Sequence, residues 1–380
     1  MRASRIVPRA QRKSQPDRSP LFASDDGHAL QSGGRTAQGV NERSELRRSR
    51  PGILWVRACV VSVRFGFASR HPAQVLLRQL WETRLVDNGP VCSVIIVSFN
   101  SGALLTDCVA SVLASTLPVE VLVSDNGSID GSLDALRAPE LAKGRVRIVE
   151  NGTNLGFAAA ANRVLPLAQG DWILFLNPDC LLQPDTLERM LAVLDGRPDV
   201  GIAGPLILGT DGQEQAGCRR REPTPIRSLA RVFHLQRWLP QGAGVSDFNM
   251  AGDPLPAAPV AVDAISGAFM LVEREAMRRV GPLDDGYFLH CEDLDWCRRF
   301  RDAGFNVLFV PSVEIVHHKG TSSKMRPIRV EWHKHRGMLR YYRKFFGESY
   351  PLPLWWGVRM FVWVRFGALA LVLAMRRLLG

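Results

Sequence analysis

The sequence predicts an α/β domain built on a mostly parallel central sheet, because short apolar runs alternate with helical patterns. A run over 93–98 is followed by a helical pattern over 103–115. The next run, over 119–123, ends in the turn Asp125-Asn126-Gly127-Ser128. Strands and helices that alternate at this spacing form a parallel sheet with helices on both faces. Right-handed crossovers then bring the ends of the strands to one edge of that sheet.

Each further element follows from its own pattern. Strands are predicted over 93–98, 119–123, 146–149 and 171–176, and helices over 103–115, 157–168 and 185–194. Regularity is lost over 209–260, where Arg219-Arg220-Arg221, several prolines and scattered glycines predict a mobile insertion. Order returns over 262–272. Helices over 274–280 and 291–303 follow, and then two short strands over 306–310 and 313–316 that Pro311 separates.

The composition divides the chain into four parts. Residues 1–50 are polar and rich in Arg, Ser, Gln and Gly, which predicts a disordered basic tail or an over-extended reading frame, with lipid or nucleic-acid binding as the alternative. Residues 51–90 form an ill-defined linker or helical segment, 91–345 the α/β domain, and 346–380 an apolar basic helix. The N-terminus lacks an early apolar region, so no secretory signal is expected.

The positive charge lies at the two ends of the chain. Residues 1–90 carry 16 Lys/Arg against 7 Asp/Glu, and residues 321–380 carry 12 against 2. Because the whole chain is +11, residues 91–320 are net −8. An acidic middle argues against nucleic acid as the main ligand, since phosphate contacts need a basic groove. The basic C-terminal end suits an anionic membrane surface.

The cysteines indicate neither a disulfide framework nor a zinc site. There are 7, an odd number, and no two of them form a CxxC pair. We therefore expect small buried thiols in a reduced cytosol.

The C-terminal segment is apolar but not free of charge. Arg359 and Arg365 interrupt residues 352–375 and lie about 120° apart on a helix. The charge-free part, 366–375, is too short to cross a bilayer of roughly 30 Å. We favour a helix that lies in or dips into the inner membrane surface. The alternative is a pair of helices packed on the domain or on a partner subunit.

A short acidic turn, Asn177-Pro178-Asp179, closes the strand over 171–176 at the sheet edge where ligands of open α/β folds bind. Asp179 could bind Mg²⁺ or Mn²⁺, which prefer oxygen ligands and often use one or two carboxylates plus substrate phosphates. An Asp that caps the next helix is the alternative, but Asp185 is better placed for that. His317 and His318 follow a later strand and offer either a further metal ligand or a structural pair.

Three other segments allow both a functional and a structural interpretation. Asp125 could hold a base or ribose, or merely form an Asx turn. Asn154-Leu155-Gly156 opens a helix of small residues that favours either a ligand phosphate or close packing. Glu292-Asp293 opens another helix, where carboxylates suit the helix dipole but could also supply a base beside a diphosphate.

The order of these segments resembles the family 2 glycosyltransferases of the GT-A fold, a Rossmann-like nucleotide-binding architecture, and especially their rhamnosyltransferase-like branch. The resemblance covers about residues 91–345. Its landmarks are Ser93 to Asn100, Asp125-Asn126-Gly127-Ser128, Asn154-Leu155-Gly156-Phe157 with Asn162, Asn177-Pro178-Asp179, Ser266-Gly267-Ala268-Phe269, Glu292-Asp293-Leu294-Asp295 and the segment at His317.

The resemblance implies a role for each group of residues. The nucleotide-sugar donor would be bound by Ser98, Asn100, Asp125, Asn154, Gly156, Asn162, Asn177, Ser266 and Gly267. Asp179 would be a ligand of the divalent metal, at a motif whose first position here is Asn177. His317 would be a later ligand, with His318 as the alternative. Asp293 matches the catalytic base of the family, and Glu292 and Asp295 would shape its electric field.

The resemblance also implies an inverting transfer, in which Asp293 deprotonates an acceptor hydroxyl that displaces the nucleotide diphosphate. We expect a rhamnose donor, dTDP-rhamnose, and an acceptor that is a lipid-linked glycan or cell-wall precursor at the cytoplasmic face of the cell membrane. Processive members carry Gln-x-x-Arg-Trp, which is absent here, so transfer of one or a few sugars is expected. The alternatives are a UDP-hexose or UDP-galactofuranose donor and a non-catalytic scaffold that binds nucleotide sugar.

Overall fold

The structure is a computed structural model, and it describes residues 89–137, 144–225, 227, 248–318, 327–349 and 351–379. The expectations for the tail over 1–50 and for nearly all of the segment over 51–90 lie outside these residues. So does the middle of the insertion predicted over 209–260.

The elements follow in chain order. The strands are β1 (Cys92–Ser98), β2 (Val119–Asp125), β3 (Val146–Glu150), β4 (Trp172–Leu176), β5 (Cys180–Leu181), β6 (Val200–Leu208), β7 (Arg219–Arg220), β8 (Val260–Ala261), β9 (Ala264–Ile265), β10 (Phe269–Glu273) and β11 (Asn306–His317). The helices are α1 (Ala103–Leu113), α2 (Phe157–Val164), α3 (Thr186–Leu194), α4 (Arg274–Val280), α5 (Glu292–Asp302), α6 (Pro327–Phe346) and α7 (Leu352–Leu379).

A mixed sheet organises the domain. Within the described ranges nine strands form it, in the order β3-β2-β1-β4-β10-β6-β11-β5, with β8 added to β11. β1 to β4 are parallel to their neighbours among themselves, and so are β6 and β11, whereas β10 runs antiparallel between β4 and β6. The predicted fold class, α/β with a mostly parallel central sheet and a C-terminal apolar helix, is confirmed.

The core lies on both faces of this sheet. All seven residues of β1 are buried, as expected for a strand that helices cover on each side. On one face α5 packs on the sheet through Trp296, whose ring meets Phe175 of β4 edge-on at 5.0 Å. This contact sets the position of the acidic first turn of α5 relative to the end of β4.

The sequence analysis missed one strand and divided another. β6, which contains Gly201, Gly204 and Pro205, was not predicted. In the structure a Cβ on Gly201 would lie 2.8 Å from the Cβ of Phe305, so glycine there permits close packing rather than a turn. The prediction of two strands over 306–316 is also wrong, because β11 continues past Pro311 with a shift in register between Val310 and Glu314.

The described part of the predicted mobile insertion forms ion pairs and a short strand, and its mobility stays a prediction. Arg219 forms a two-bonded ion pair with Glu214 at 2.9 and 3.0 Å, and Arg221 pairs with Asp253 at 2.7 Å. β7, which contains Arg219 and Arg220, pairs with β9 in a small second sheet. Each arginine of the run thus has a partner in the folded domain, and these contacts order a segment that lacks hydrophobic periodicity.

The C-terminal helices pack on each other along one side. Val358 and Val362 of α7 are buried, and Arg365, one turn further on, contacts Nε2 of His335 in α6 at 2.7 Å. By length and composition alone α7 could cross a membrane, and little of it is buried. The predicted apolar helix is therefore continuous, with one face attached to α6.

Candidate active site

The carboxyl ends of β1 to β4 lie at one edge of the sheet. Ser98 at the end of β1 pairs with Asp125 at the end of β2, and Asp125 pairs in turn with Glu150 of β3. β10 runs the other way and begins at the same edge, where Phe269 pairs with Leu176. The loops after β1, β2 and β4 and the loop before β10 therefore meet, and they carry most of the predicted site residues.

The carboxylate of Asp125 closes the turn after β2. Its Oδ2 accepts the N–H groups of Gly127 and Ser128, both at 2.9 Å, and its Oδ1 accepts the Ser128 hydroxyl at 2.6 Å. Asp125 is buried. The sequence left open whether this residue forms a turn or binds a ligand, and the structure displays the turn, with a shape that these three hydrogen bonds define.

The loop after β1 is tied to that turn. Asn100 Oδ1 accepts the N–H of Ile129 at 2.9 Å, and the Asn100 N–H donates to Ser128 Oγ at the same distance. The buried hydroxyl of Ser98 lies 3.3 Å from that of Ser101. The three residues predicted to hold a nucleoside, Ser98, Asn100 and Asp125, thus lie together in two loops that hydrogen bonds connect.

The helix of small residues packs against the segment that leads to α5. Gly156 has φ +85°, and a Cβ there would lie 2.9 Å from Phe288 Cα. Asn154 Oδ1 accepts the Gly156 N–H at 2.9 Å, and Asn162 Nδ2 donates to the Leu283 carbonyl at 2.7 Å. The close approach that the glycine permits is therefore one of backbone to backbone, and it positions the chain just before the acidic helix.

The turn after β4 faces the end of β11. Pairing of Cys180 with His317 aligns the two segments. The imidazole Nε2 of His317 lies 3.0 Å from Asp179 Oδ1 and 3.4 Å from Asn177 Nδ2. His318 instead reaches Asp179 through its backbone N–H, which donates to the Asp179 carbonyl at 2.9 Å. The structure thus brings His317, rather than His318, to the carboxylate of Asp179.

This pair has the donor chemistry of a divalent-cation site. Ligand atoms of Asp179, Cys180 and His317 all lie within 4.8 Å of one another. Burial, together with the negative groups nearby, raises the pKa of the Cys180 thiol well above its usual value, and the thiol contacts the Ala268 carbonyl at 3.6 Å. A neutral thiol is a poor ligand for a hard cation. One carboxylate and one imidazole, with positions left for phosphate oxygens, fit Mg²⁺ or Mn²⁺.

Asp293 is held as a carboxylate by three donors. Its Oδ2 accepts the Gly267 N–H at 3.0 Å and a hydrogen bond from Arg220 Nη2 at 2.5 Å, and its Oδ1 accepts the Leu294 N–H at 2.8 Å. Burial alone would raise the pKa of Asp293, but the charge and hydrogen bond of Arg220 and the backbone donors outweigh it and lower that pKa.

The turn over 266–268, just before β10, contacts both the segment that contains Asn177 and Asp179 and the side chain of Asp293. The Ala268 carbonyl accepts the Asn177 N–H at 3.0 Å, while the neighbouring Gly267 binds Asp293. Ser266 Oγ accepts the Ala268 N–H at 3.2 Å and so shapes this turn. A Cβ on Gly267 would lie 3.2 Å from the Asp293 Cβ, which explains the small residue.

The other carboxylates of α5 have different environments. Burial and the charge of Asp293 raise the pKa of Glu292 to about 8, and within the described part of the chain its Oε2 has no hydrogen-bond partner. The environment of Glu292 thus favours its neutral form, in contrast to that of Asp293. Asp295 is fully buried and accepts hydrogen bonds from Arg299 at 2.7 Å and Lys344 at 2.6 Å. Asp295 thus stabilises the packing of α5 on α6.

Two residues beside these groups were missed by the sequence reasoning. Arg220 was assigned to a mobile insertion, although its three-arginine run was the one visible signal. Gln215 contacts His317 with both ends of its carboxamide, at 2.9 Å to Nδ1 and 2.6 Å to the backbone carbonyl. No local pattern marks Gln215, because its partner lies 102 positions further along the chain.

Known proteins resemble this chain in sequence. A model of glycosyl transferase family 2 matches residues 93–251. The N-acetylglucosaminyl-diphospho-decaprenol L-rhamnosyltransferase of Mycobacterium tuberculosis is 32% identical over 251 residues, which is 62% of this chain and 79% of that protein. The rhamnosyltransferase WbbL of Escherichia coli is 27% identical over 168 residues, 44% of this chain and 60% of its own.

Solved structures are more distant. The mannosyltransferase PcManGT of Pyrobaculum calidifontis, solved with GDP-Man and Mn²⁺, superposes with a TM-score of 0.47 at 19% identity, over 80% of this chain and 83% of its own. The assignment therefore rests on the sequence relatives, of which the mycobacterial enzyme is matched over most of its length. The chain belongs to glycosyl transferase family 2.

Proposed function

We propose that this glycosyl transferase moves rhamnose from dTDP-rhamnose to a hydroxyl of a lipid-linked glycan precursor, with inversion at the anomeric carbon. The observation that carries the proposal is that one turn, residues 266–268, contacts both Asp293 and the backbone of Asn177, two residues before the Asp179 that faces His317. The transfer of rhamnose and the lipid-linked acceptor are supported by the activity for which the mycobacterial relative is named.

Asp293 is the proposed base. Its Oδ2 accepts two hydrogen bonds, whereas Oδ1 accepts one, from Leu294, and keeps a lone pair for the acceptor. Asp293 takes the proton of the acceptor hydroxyl as that oxygen attacks the anomeric carbon. The bond from that carbon to the diphosphate breaks, and the nucleoside diphosphate leaves with the electron pair. A single displacement of this kind inverts the configuration and needs no covalent enzyme intermediate.

Asp179 and His317 are the proposed metal ligands, since an oxygen and an imidazole donor lie 3.0 Å apart there. Mg²⁺ or Mn²⁺, when bound, supplies positive charge that stabilises the departing diphosphate. Asn177 lies beside them and can donate its amide hydrogens to a phosphate oxygen.

The two hydrogen-bonded loops after β1 and β2 are the proposed nucleoside site. Ser98, Asn100 and Asp125 all lie at the edge where the strands end, which is where open α/β sheets bind nucleotides. The hydrogen bonds between the loops preorganise them, so that binding costs little ordering of the chain.

The cytoplasmic membrane surface is the proposed location, with α7 as the contact. The side of α7 away from α6 exposes Trp356, Met360 and Val364, at 61, 68 and 65%. This spacing of four residues puts them on one helix face. An apolar helix face beside a basic C-terminal region is typical of proteins that bind anionic lipid surfaces.

The first test is binding of nucleotide sugars by calorimetry. dTDP-rhamnose, UDP-galactose and UDP-N-acetylglucosamine are titrated with and without Mg²⁺ or Mn²⁺ into the wild type, Asp179→Ala and the control Asp185→Ala. Asp185 lies six positions further on, after β5, and its side chain is 52% exposed and pairs with Arg189. Metal-dependent binding of dTDP-rhamnose that only Asp179→Ala abolishes is expected. Binding of a UDP-sugar instead would refute the proposed donor.

The second test separates an enzyme from a scaffold. The wild type is incubated with dTDP-rhamnose and a polyprenyl-diphospho-N-acetylglucosamine acceptor, and the anomeric configuration of the product is read by NMR. Asp293→Asn is expected to bind donor normally and to lose turnover by a factor of about 10² or more. Equal turnover in wild type and Asp293→Asn would rule out the proposed base, and a product of retained configuration would rule out single displacement.

A further inference from the structure

The side-chain carboxamide of Gln215 contacts His317 at two points. Its Oε1 lies 2.9 Å from Nδ1 of the imidazole, and its Nε2 donates to the backbone carbonyl of the same residue at 2.6 Å. The Gln215 backbone N–H donates to the Ile207 carbonyl of β6 at 2.9 Å. The backbone of Gln215 is therefore anchored to the sheet independently of His317.

The chemistry of these contacts orients the carboxamide. A carbonyl oxygen can only accept, so the amide nitrogen of Gln215 must face the His317 carbonyl. The amide oxygen then faces Nδ1, and because that oxygen also only accepts, Nδ1 has to carry the hydrogen. The flipped carboxamide would set two oxygen atoms 2.6 Å apart with no hydrogen between them.

The other imidazole nitrogen points at the proposed cation site. Nε2 lies 3.0 Å from Asp179 Oδ1 and 3.4 Å from Asn177 Nδ2. A metal-binding imidazole must present a nitrogen without hydrogen, and a partner on the opposite nitrogen usually selects which one. We infer that Gln215 is a positioning residue that keeps the hydrogen on Nδ1 and so prepares Nε2 of His317 to bind the divalent cation. This inference rests on the proposed metal dependence.

Asp179 is the reason that such a residue is needed. Its carboxylate lies at hydrogen-bonding distance from Nε2, so it competes with the Gln215 oxygen at Nδ1 for the hydrogen of the ring. Without Gln215 the neutral ring takes the tautomer that carries its hydrogen on Nε2. That hydrogen occupies both proposed ligands at once, since it lies between Nε2 and the Asp179 oxygen.

The tautomer can be read directly in the metal-free full chain. The protein is labelled with ¹⁵N-histidine, His317 is assigned by the loss of its signals in His317→Gln, and long-range proton–nitrogen correlations identify the protonated nitrogen. We expect Nδ1–H in the wild type and Nε2–H in Gln215→Leu. Gln213→Leu is the matched control, because Gln213 lies in the same loop with an exposed side chain. Nε2–H in the wild type, or unchanged signals in Gln215→Leu, would overturn the inference.

Metal affinity is the second readout. Mn²⁺ is titrated by calorimetry in the presence of dTDP into the wild type, Gln215→Leu and Gln213→Leu. Loss of such an outer partner weakens metal binding about 10- to 100-fold, and we expect that loss only in Gln215→Leu. A changed tautomer with unchanged Mn²⁺ affinity would refute the preparatory role. Absence of Mn²⁺ binding in the wild type would instead refute the proposed metal site, whatever the tautomer.

Gln215→Glu covers the case in which Gln215→Leu fails to fold by circular dichroism. A glutamate keeps an acceptor opposite Nδ1 but cannot donate to the His317 carbonyl. It is therefore expected to retain the Nδ1–H tautomer and most of the Mn²⁺ affinity. An Nε2–H ring in this variant would overturn the inference.

Discussion

The ion pair between Arg220 and Asp293 provides a test of the proposed role of Asp293 as the base. Their side chains are each 12% exposed, and the donor and acceptor atoms are 2.5 Å apart. Arg220 also donates to the Ile265 carbonyl. We consider Arg220→Met, which keeps much of the apolar stem and removes the charge, with Arg221→Met as the matched control in the same run.

A change in pKa and a change in stability follow for Arg220→Met. The charge and the hydrogen bond of Arg220 lower the pKa of Asp293 against the effect of burial, so that pKa rises in the variant. Removal of one member of a buried pair costs about 3–5 kcal/mol of unfolding free energy when the other stays charged. The control removes a pair whose side chains are 29 and 39% exposed, for which about 0–1 kcal/mol is expected.

The sign of the pH dependence follows from the direction of the pKa. In the wild type the lowered pKa of Asp293 gives stability that is present above the unfolded pKa of about 3.9 and is lost as pH falls through the folded value. In Arg220→Met the carboxyl is buried without its cation. The stability difference between the two proteins therefore grows as pH rises from about 4.

The assay is the pH profile of kcat/KM for rhamnosyl transfer, together with urea unfolding at pH 5 and pH 8. The acid limb of Arg220→Met should lie at higher pH than that of the wild type, and the limb of Arg221→Met should not move. If Arg220→Met is destabilised as expected but its acid limb stays in place, Asp293 is not the group whose ionisation limits catalysis. Equal stability losses in both variants would refute the buried ion pair.

Three further predictions test other parts of the structure. The wild type should lose up to about 5 kcal/mol of unfolding free energy as pH rises from about 4.5 through about 8, and Glu292→Gln should remove this loss. Urea unfolding of both proteins at pH 5 and 8.5 measures the effect. A difference in stability between them that does not change with pH would contradict the raised pKa. Gly156→Ala should lower the unfolding free energy more than Gly152→Ala. Both glycines have positive φ, which costs an alanine about 1–3 kcal/mol, but only the Cβ at position 156 would meet neighbouring backbone. Equal losses in urea unfolding would show that this backbone contact does not matter. Met360→Glu combined with Val364→Glu should lower binding to anionic lipid vesicles at least about tenfold in sedimentation, because it places charges on the apolar face; unchanged binding would rule out that face as the lipid contact.

Hydrophobic periodicity was enough to predict the first half of the sheet. β1 to β4 and the helices after them are continuous apolar or amphipathic runs that end in turn residues, so each element is encoded locally. β6 and the unbroken β11 were not predictable in this way. Their glycines and prolines are accommodated by close packing against Phe305 and by a shift in register, and both depend on neighbouring strands.

The acidic residues of the site were also visible in the sequence, because carboxylates at strand ends and in a first helical turn are local features. The hydrogen-bond partners of these residues were not visible in the sequence. Asp293 acquires Arg220 from 73 positions away, and His317 acquires Gln215 from 102 positions away. Neither pair has a fixed spacing, and both form only because β7 and the loop after β6 fold back over the sheet edge.

The sequence by itself determined the α/β class, the edge of the sheet where the site lies and the residue types that could carry acid–base and metal chemistry. Tertiary structure decided the protonation and orientation of those residues. It set a low pKa for Asp293 and a high one for Glu292, although the two are adjacent in the chain. The reason is that pKa and tautomer depend on burial, charges and hydrogen-bond partners in space, and chain neighbours alone specify none of these.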